Sequence, residues 1–208
     1  GQKQRINGQL VPDNLRPHIK GDLSVKTSGN LATGDFIMDG LWIEGKLTVK
    51  PGNLGRLQVA HCTLVPGHGG IIVEIGSTAG QQNATLDISI DHSICDSIKL
   101  PDTVPDLRIV NSIVDHAAGE AITGPGASVS IQKSTVFGSS SMYSLEADNS
   151  IFTGIISVMR RQEGCMRNTY IPEGSRTPRR YRCQPDWLKP LFTSLRYGSP
   201  GYAQLHSR

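Results

Sequence analysis

The stretch "LRIVNSIVDHAAGEAI", residues 107–122, alternates apolar and polar side chains and then breaks at Asp-His-Ala-Ala-Gly. Its middle, "NSIV", has relatives elsewhere: "HCTL" at 61–64, "HSIC" at 92–95, "KSTV" at 133–136 and "NSIF" at 149–152. Aligned on the small hydroxyl or thiol, the column reads Cys62, Ser93, Ser112, Ser134, Ser150 and Thr169, with Leu41 of "GLWI" as its first member. The steps are 21, 31, 19, 22, 16 and 19 residues. Three places earlier stand Val59, Ile90, Ile109, Ile131, Ala147 and Met166, and two places later Leu64, Cys95, Val114, Val136, Phe152 and Ile171.

Period-2 segments recurring about every twenty residues describe a solenoid in which one repeat is one coil. Helical repeats are excluded, because no window keeps i, i+3, i+4, i+7 apolar spacing for three turns. A leucine-rich repeat lacks its Leu/Asn consensus here. The predicted fold is therefore an all-β right-handed parallel β-helix of about 6–7 coils, with "DLRIV", "SIVD" and "EAITG" as the three strands of one coil. The 31-residue step carries an insertion, "GHGGIIVEIGSTAGQQNA", read as a protruding loop.

Stacked coils lie about 4.8 Å apart, so equivalent residues form ladders along the axis. The residue before the hydroxyl column is His61, His92, Asn111, Lys133, Asn149 and Asn168. Asn tolerates the left-handed backbone of a sharp bend, and its amide can hydrogen-bond from coil to coil. These positions are read as a corner ladder.

Composition agrees. Of the 208 residues only 37% are hydrophobic and 5% aromatic, while Gly (23) and Pro (12) are abundant. That mixture favours short strands and tight turns over packed helices. The predicted domains are an N-terminal cap or linker at 1–30, the β-helix at 31–173, and a basic C-terminal segment and cap at 174–208, read as truncated. A short helix is expected from Pro185 to Leu195, with Trp187, Leu188, Leu191 and Phe192 covering the end of the stack. The start, "GQKQRINGQLVPDN", is no signal peptide and lacks an initiator Met. No apolar run reaches the ~20 residues of a membrane span, so no membrane partner is expected, and the compartment stays open.

"RRQEGCMRNTYIPEGSRTPRRYRCQPD" (160–186) and "FTSLRYGSPGYAQL" (192–205), taken with "DGLWIEGKLTV" (39–49) and "HCTLVPG" (61–67), resemble a largely uncharacterised family of bacterial right-handed β-helix proteins. That family is associated with gene neighbourhoods of phage-tail-like contractile injection systems. The resemblance covers roughly residues 39–205. It implies the fold, a larger parent polypeptide or protein partner, and no established catalytic residues.

Chemistry-bearing residues are few. Asp96 and Asp115 share one column on adjacent coils, their backbones roughly 5 Å apart. A retaining glycosidase uses such a carboxyl separation, and a pair of this kind also suits Ca²⁺. With His116 nearby they form the enzymatic alternative, a polysaccharide lyase or glycoside hydrolase, so a glycan is a possible ligand. Against it, the neighbouring columns offer no base and no aromatic platform, and two aspartates in solvated turns are the plainer reading. His61 and His92 supply half of a zinc shell, and Cys62 and Cys95 do not complete it. No metal and no cofactor are expected. No nucleophile elbow or phosphate loop appears. Cys165 and Cys183 bracket the basic segment and are a possible disulfide pair under oxidising conditions, two small buried thiols being the favoured reading.

The charge is uneven. Seven arginines against Glu163 and Glu173 give residues 160–182 a local +5 within a chain of net +3. Arg160, Arg161, Arg176, Arg179, Arg180 and Arg182 are therefore the predicted binding residues. They bind phosphate or nucleic acid, dock an acidic partner or cap the solenoid's end, the last two being the favoured readings. Nucleic acid is the weakest option, since aromatics are sparse there. The expected function is a non-enzymatic structural or binding module, its oligomeric state open and a trimer possible.

Overall fold

The structure, a computed structural model, describes residues 3–6, 9–12, 17–27, 34–184 and 188–206, the first two stretches as backbone. It is a parallel β-helix with three sheets. The first stacks Gly34–Asp39, Leu54–Ala60, Asp87–Asp91, Asp106–Val110, 128–132, 144–148, Cys165–Arg167 and Arg179–Tyr181. The second stacks His18–Lys20, Trp42–Glu44, Thr63–Leu64, Ile94–Cys95, 113–115, 135–137 and Ile151–Phe152. The third stacks Leu23–Val25, Leu47–Val49, Ile71–Val73, Ile98–Lys99, 122–124, 140–142 and Ile156–Val158. Every one of these pairings is parallel.

Alternation along such short strands sends every second side chain into one continuous core. Leu64, Cys95, Val114, Val136, Phe152 and Ile171 are all 0% exposed, as their column position requires. Opposite them stand Val59, Ile90, Ile109, Ile131, Ala147 and Met166, also buried. Burial pushes the Cys95 thiol up to about 12, so it behaves as an apolar core residue.

The corner ladder is where the repeated phrase places it. His61, His92, Asn111, Lys133, Asn149 and Asn168 have φ of 51°, 45°, 48°, 48°, 50° and 49°. Gly40 (φ 72°) precedes them and Arg182 (φ 50°) follows, making eight left-handed corners among the described residues. Of the ladder amides Asn168 reaches the preceding coil, Nδ2 donating to Asp148 Oδ1 at 3.4 Å, but the continuous spine of coil-to-coil hydrogen bonds lies elsewhere. It runs through the next residue: Ser93 Oγ accepts from Cys62 N, Ser112 Oγ from Ser93 N, Ser134 Oγ from Ser112 N and Ser150 Oγ from Ser134 N, at 3.0–3.3 Å. Each hydroxyl donates to the carbonyl two residues back, as Ser112 does to Val110 at 2.6 Å. A hydroxyl fits here because it both accepts and donates, satisfying an amide that the turn takes out of the ladder.

A left-handed backbone costs a β-carbon-bearing residue about 1–2 kcal/mol, and Asn less than most. Lys133→Asn is therefore expected to stabilise the protein by about 0.5–1 kcal/mol, raising Tm by about 1–4 °C. Thermal denaturation checks this; a lowered Tm would count against the strain argument.

The stack exceeds its predicted bounds at both ends. His18–Lys20 and Leu23–Val25 pair in register with Trp42–Glu44 and Leu47–Val49, so the first coil begins before residue 31. Arg179–Tyr181 pairs with Cys165–Arg167, so a further coil follows residue 173. The last row escapes the repeat because Arg182 stands where the phrase has Asn or His. Upstream, Lys3–Ile6 and Gln9–Pro12 form an antiparallel hairpin.

Two other expectations change. The insertion is not one loop: Ile71–Val73 is the third-sheet strand of its coil, pairing on both sides, and only residues 74–86 are extra. Nor does 188–195 form a helix; its contacts are the isolated bridges Phe192↔Leu205 and Ser194↔Tyr202. Residues 185–187, with Trp187, lie outside the described residues.

Candidate functional site

The predicted column pair stands in register: Cys95 pairs with Val114, setting Asp96 beside Asp115 on successive rows of the second sheet. Their side chains have separate partners. Asp96 is 1% exposed. Its Oδ2 accepts from Gly67 N at 2.8 Å and Gly69 N at 3.0 Å. Its Oδ1 accepts from Ser97 N and lies beside His116 Nδ1, both at 2.6 Å. Burial alone would raise its pKa, but the amides of Gly69 and Ser97, the His116 ring and the Gly67 amide outweigh it. The carboxyl is held below the usual carboxylate range.

The loop "PGHGG" (66–70) makes this possible. Gly67 and Gly69 have φ of 88° and 106°, which turns two amides toward one oxygen as in an anion-binding nest. Gly70 (φ 64°) would place a β-carbon 1.9 Å from Ser97 O. The glycines read as a protruding loop therefore wrap a carboxylate. Because that carboxylate can only accept, His116 Nδ1 is the donor of this hydrogen bond.

Asp115 instead accepts a hydrogen bond from Tyr202 OH at 2.6 Å, across 87 residues of chain. Burial and the carboxylate push the Tyr202 phenol up, so it stays a donor. This contact belongs to a C-terminal strap. After the last coil the chain turns back along the second sheet, where Phe192 meets Phe137 edge to face at 5.0 Å between centroids. Residues 188–206 were expected to cover the end of the stack, yet they cover its side. The reason lies in that sheet's outer face, where Val65, Phe137 and Tyr170 are apolar or aromatic and all buried. Between strap and sheet lies a cavity of about 570 Å³, lined by Ile151, Tyr170, Leu188, Leu191, Leu205 and His206 among others.

His61 and His92 stack at 5.4 Å between centroids. His61 Nδ1 lies 2.9 Å from Asp39 Oδ1. His92 Nδ1 lies 2.8 Å from Asp91 Oδ1, off the line of a hydrogen bond. Among the described residues no group of three or more His, Cys, Asp or Glu could hold a metal ion. All four cysteines are free thiols; Cys165 and Cys183 are half-buried rather than buried. Among the described residues no helix is long and apolar enough to cross a membrane.

The arginine cluster is divided among four places. Arg160 pairs with Glu163 at 2.5 Å and lies over the Tyr143 ring. Arg180 stands in the core column, paired in register with buried Met166, and its guanidinium folds over the open end onto Thr177 Oγ1 (2.9 Å) and Ser175 O (3.2 Å). It is a cap. Arg179 and Arg182 are exposed on the last coil, with Arg182 over the Tyr181 ring at 5.2 Å. Arg161 and Arg176 line a groove of about 700 Å³ on the third sheet. Sequence reading missed this groove because it grouped arginines by position along the chain, whereas the coil distributes them over faces.

No family model, curated protein or solved structure matches this chain.

Proposed function

We propose that the chain is a non-enzymatic β-solenoid module that docks an acidic protein surface through its last coil. The observation that carries this reading is the strand Arg179–Tyr181. All three residues are exposed and, among the described residues, only one edge is paired, so the Arg179 cation and a row of backbone donors and acceptors lie open beside Arg182. A partner with carboxylates on an extended segment would satisfy both. The resemblance of residues 160–186 to tail-associated proteins supports placing that partner in a phage-tail-like particle.

The alternative of glycan cleavage needs two carboxyls converging on one bond. It is weakened by the four groups around Asp96 and by the Tyr202 contact of Asp115. Surface plasmon resonance on immobilised polyglutamate tests the docking reading. Arg179→Glu with Arg182→Glu is expected to reduce binding more than tenfold without changing Tm, whereas Arg180→Ala lowers Tm. Unchanged binding by the double variant, or cleavage of any member of a glycan panel by the wild type, overturns the proposal.

A further inference from the structure

On the third sheet, Ser141 pairs in register with Ser157, and Ser157 bridges to Arg176. Alternation turns this column outward, since Met142 and Val158 beside it are buried in the core. The hydroxyls and the guanidinium therefore succeed one another at strand spacing, about 4.8 Å per row. Arg161 enters the same groove from the turn after Ile156–Val158, and Met159 and Pro125 complete the walls.

Two features set this groove apart. Neighbouring arginines have carboxylates, Arg160 with Glu163 and Arg167 with Glu146. The guanidinium groups of Arg161 and Arg176, both exposed residues, have no ion-pair or hydrogen-bond partner among the described residues. Two uncompensated cations facing one partly apolar groove raise its potential, and a bound anion relieves that repulsion. At the end away from Arg176, Glu120 accepts a hydrogen bond from the Ser141 hydroxyl. The groove thus has a cationic end and an acceptor end.

We propose that this groove binds a ligand bearing a tetrahedral oxyanion, a sulfate or phosphate monoester, held by Arg161 and Arg176 with the Ser157 hydroxyl as an added donor. Two planar guanidinium forks match the several oxygens and double charge of such a group better than a single carboxylate. A volume of about 700 Å³ is that of a small-molecule site rather than of a bare ion. The body of the ligand lies over Met159 and Pro125, and its hydroxyl or amide donors reach Glu120. This site is separate from the docking surface on the last coil, so either reading can fail alone.

Isothermal titration calorimetry at low salt tests the proposal with three probes: inorganic sulfate, a phosphorylated monosaccharide and a sulfated disaccharide. The protein is compared as wild type, as Arg161→Gln/Arg176→Gln and as Arg179→Gln/Arg182→Gln. One or both sugar esters are expected to bind the wild type at least tenfold more tightly than sulfate, and the preferred ester identifies the source of the oxyanion. The groove variant loses tenfold or more while keeping the wild-type Tm, and the last-coil variant binds as wild type. Equal losses in the two variants would reduce the effect to net charge and overturn the proposal. So would sulfate binding as tightly as both esters, or no binding of any probe.

Discussion

Asp96→Asn is expected to destabilise the protein by about 3–5 kcal/mol, the magnitude found when a buried charge network loses one member. The substitution preserves shape and reverses one set of donors. Both Asp96 oxygens only accept, two groups to each oxygen. An amide must turn its NH₂ either toward Gly67 and Gly69 or toward Ser97 and His116. On the second side His116 can change tautomer and accept, but Ser97 N–H cannot, so a buried amide loses its partner in every rotamer. Denaturant titration should show the loss. In a solenoid each coil contacts only its neighbours, so hydrogen exchange should quicken first at 63–70, 94–99 and 113–120. A change under about 1 kcal/mol would show that the nest contributes little.

The same residue sets a pH dependence with a definite sign. Its folded-state pKa lies below the unfolded value of about 3.9. The folded state therefore holds the proton less tightly, and the stabilisation is fully present above pH ~4. It is lost as pH falls through the folded value. Wild type should show an acid limb in Tm below pH ~4 that is shallower in Asp96→Asn, the two curves converging as acidity increases. Parallel curves would mean that the acid limb belongs to other carboxylates.

How far the sequence reached follows from what repeats. The corner was legible because Asn or His before Ser, Thr or Cys recurs five times at coil spacing, and a repeated left-handed residue needs no tertiary knowledge to recognise. The core columns followed from period 2 on either side of it. Even the acidic column was placed correctly, since register alone decides that Asp96 adjoins Asp115. Side-chain destinations were not legible. Asp96 turns into a nest made by glycines 27 and 29 positions upstream, and Asp115 meets Tyr202 from a strap with no period at all. Residues 188–206 carry only the general signal of exposed apolar side chains, which says that a surface is covered but not which one. The serine column was noticed as small and polar; its role as the hydrogen-bonded spine appears only when rows are stacked.

Asn83→Leu should be nearly as damaging as Asp96→Asn, at about 4 kcal/mol, although no repeat marks the position. Asn83 is 1% exposed with φ 48°, and its side chain ties the 31-residue coil together. Oδ1 accepts from Leu54 N at 3.2 Å, while Nδ2 donates to Glu74 O at 3.0 Å and Lys50 O at 3.2 Å. Those partners lie where the chain leaves the third sheet and returns to the first, so one amide side chain closes the neck of the extra segment 74–86. Leu keeps the volume but leaves one N–H and two carbonyls buried without partners, each costing about 1 kcal/mol or more. It also places a bulkier residue in the left-handed region, for about 1 kcal/mol more. Asn83→Gly separates the two contributions, because glycine removes the strain and keeps the hydrogen-bond loss. The expected order of Tm is wild type, then Gly, then Leu, with proteolysis of the variants beginning within residues 74–86. If Asn83→Leu melts within about 2 °C of wild type, the neck is held by the flanking strands and the side-chain bonds are incidental.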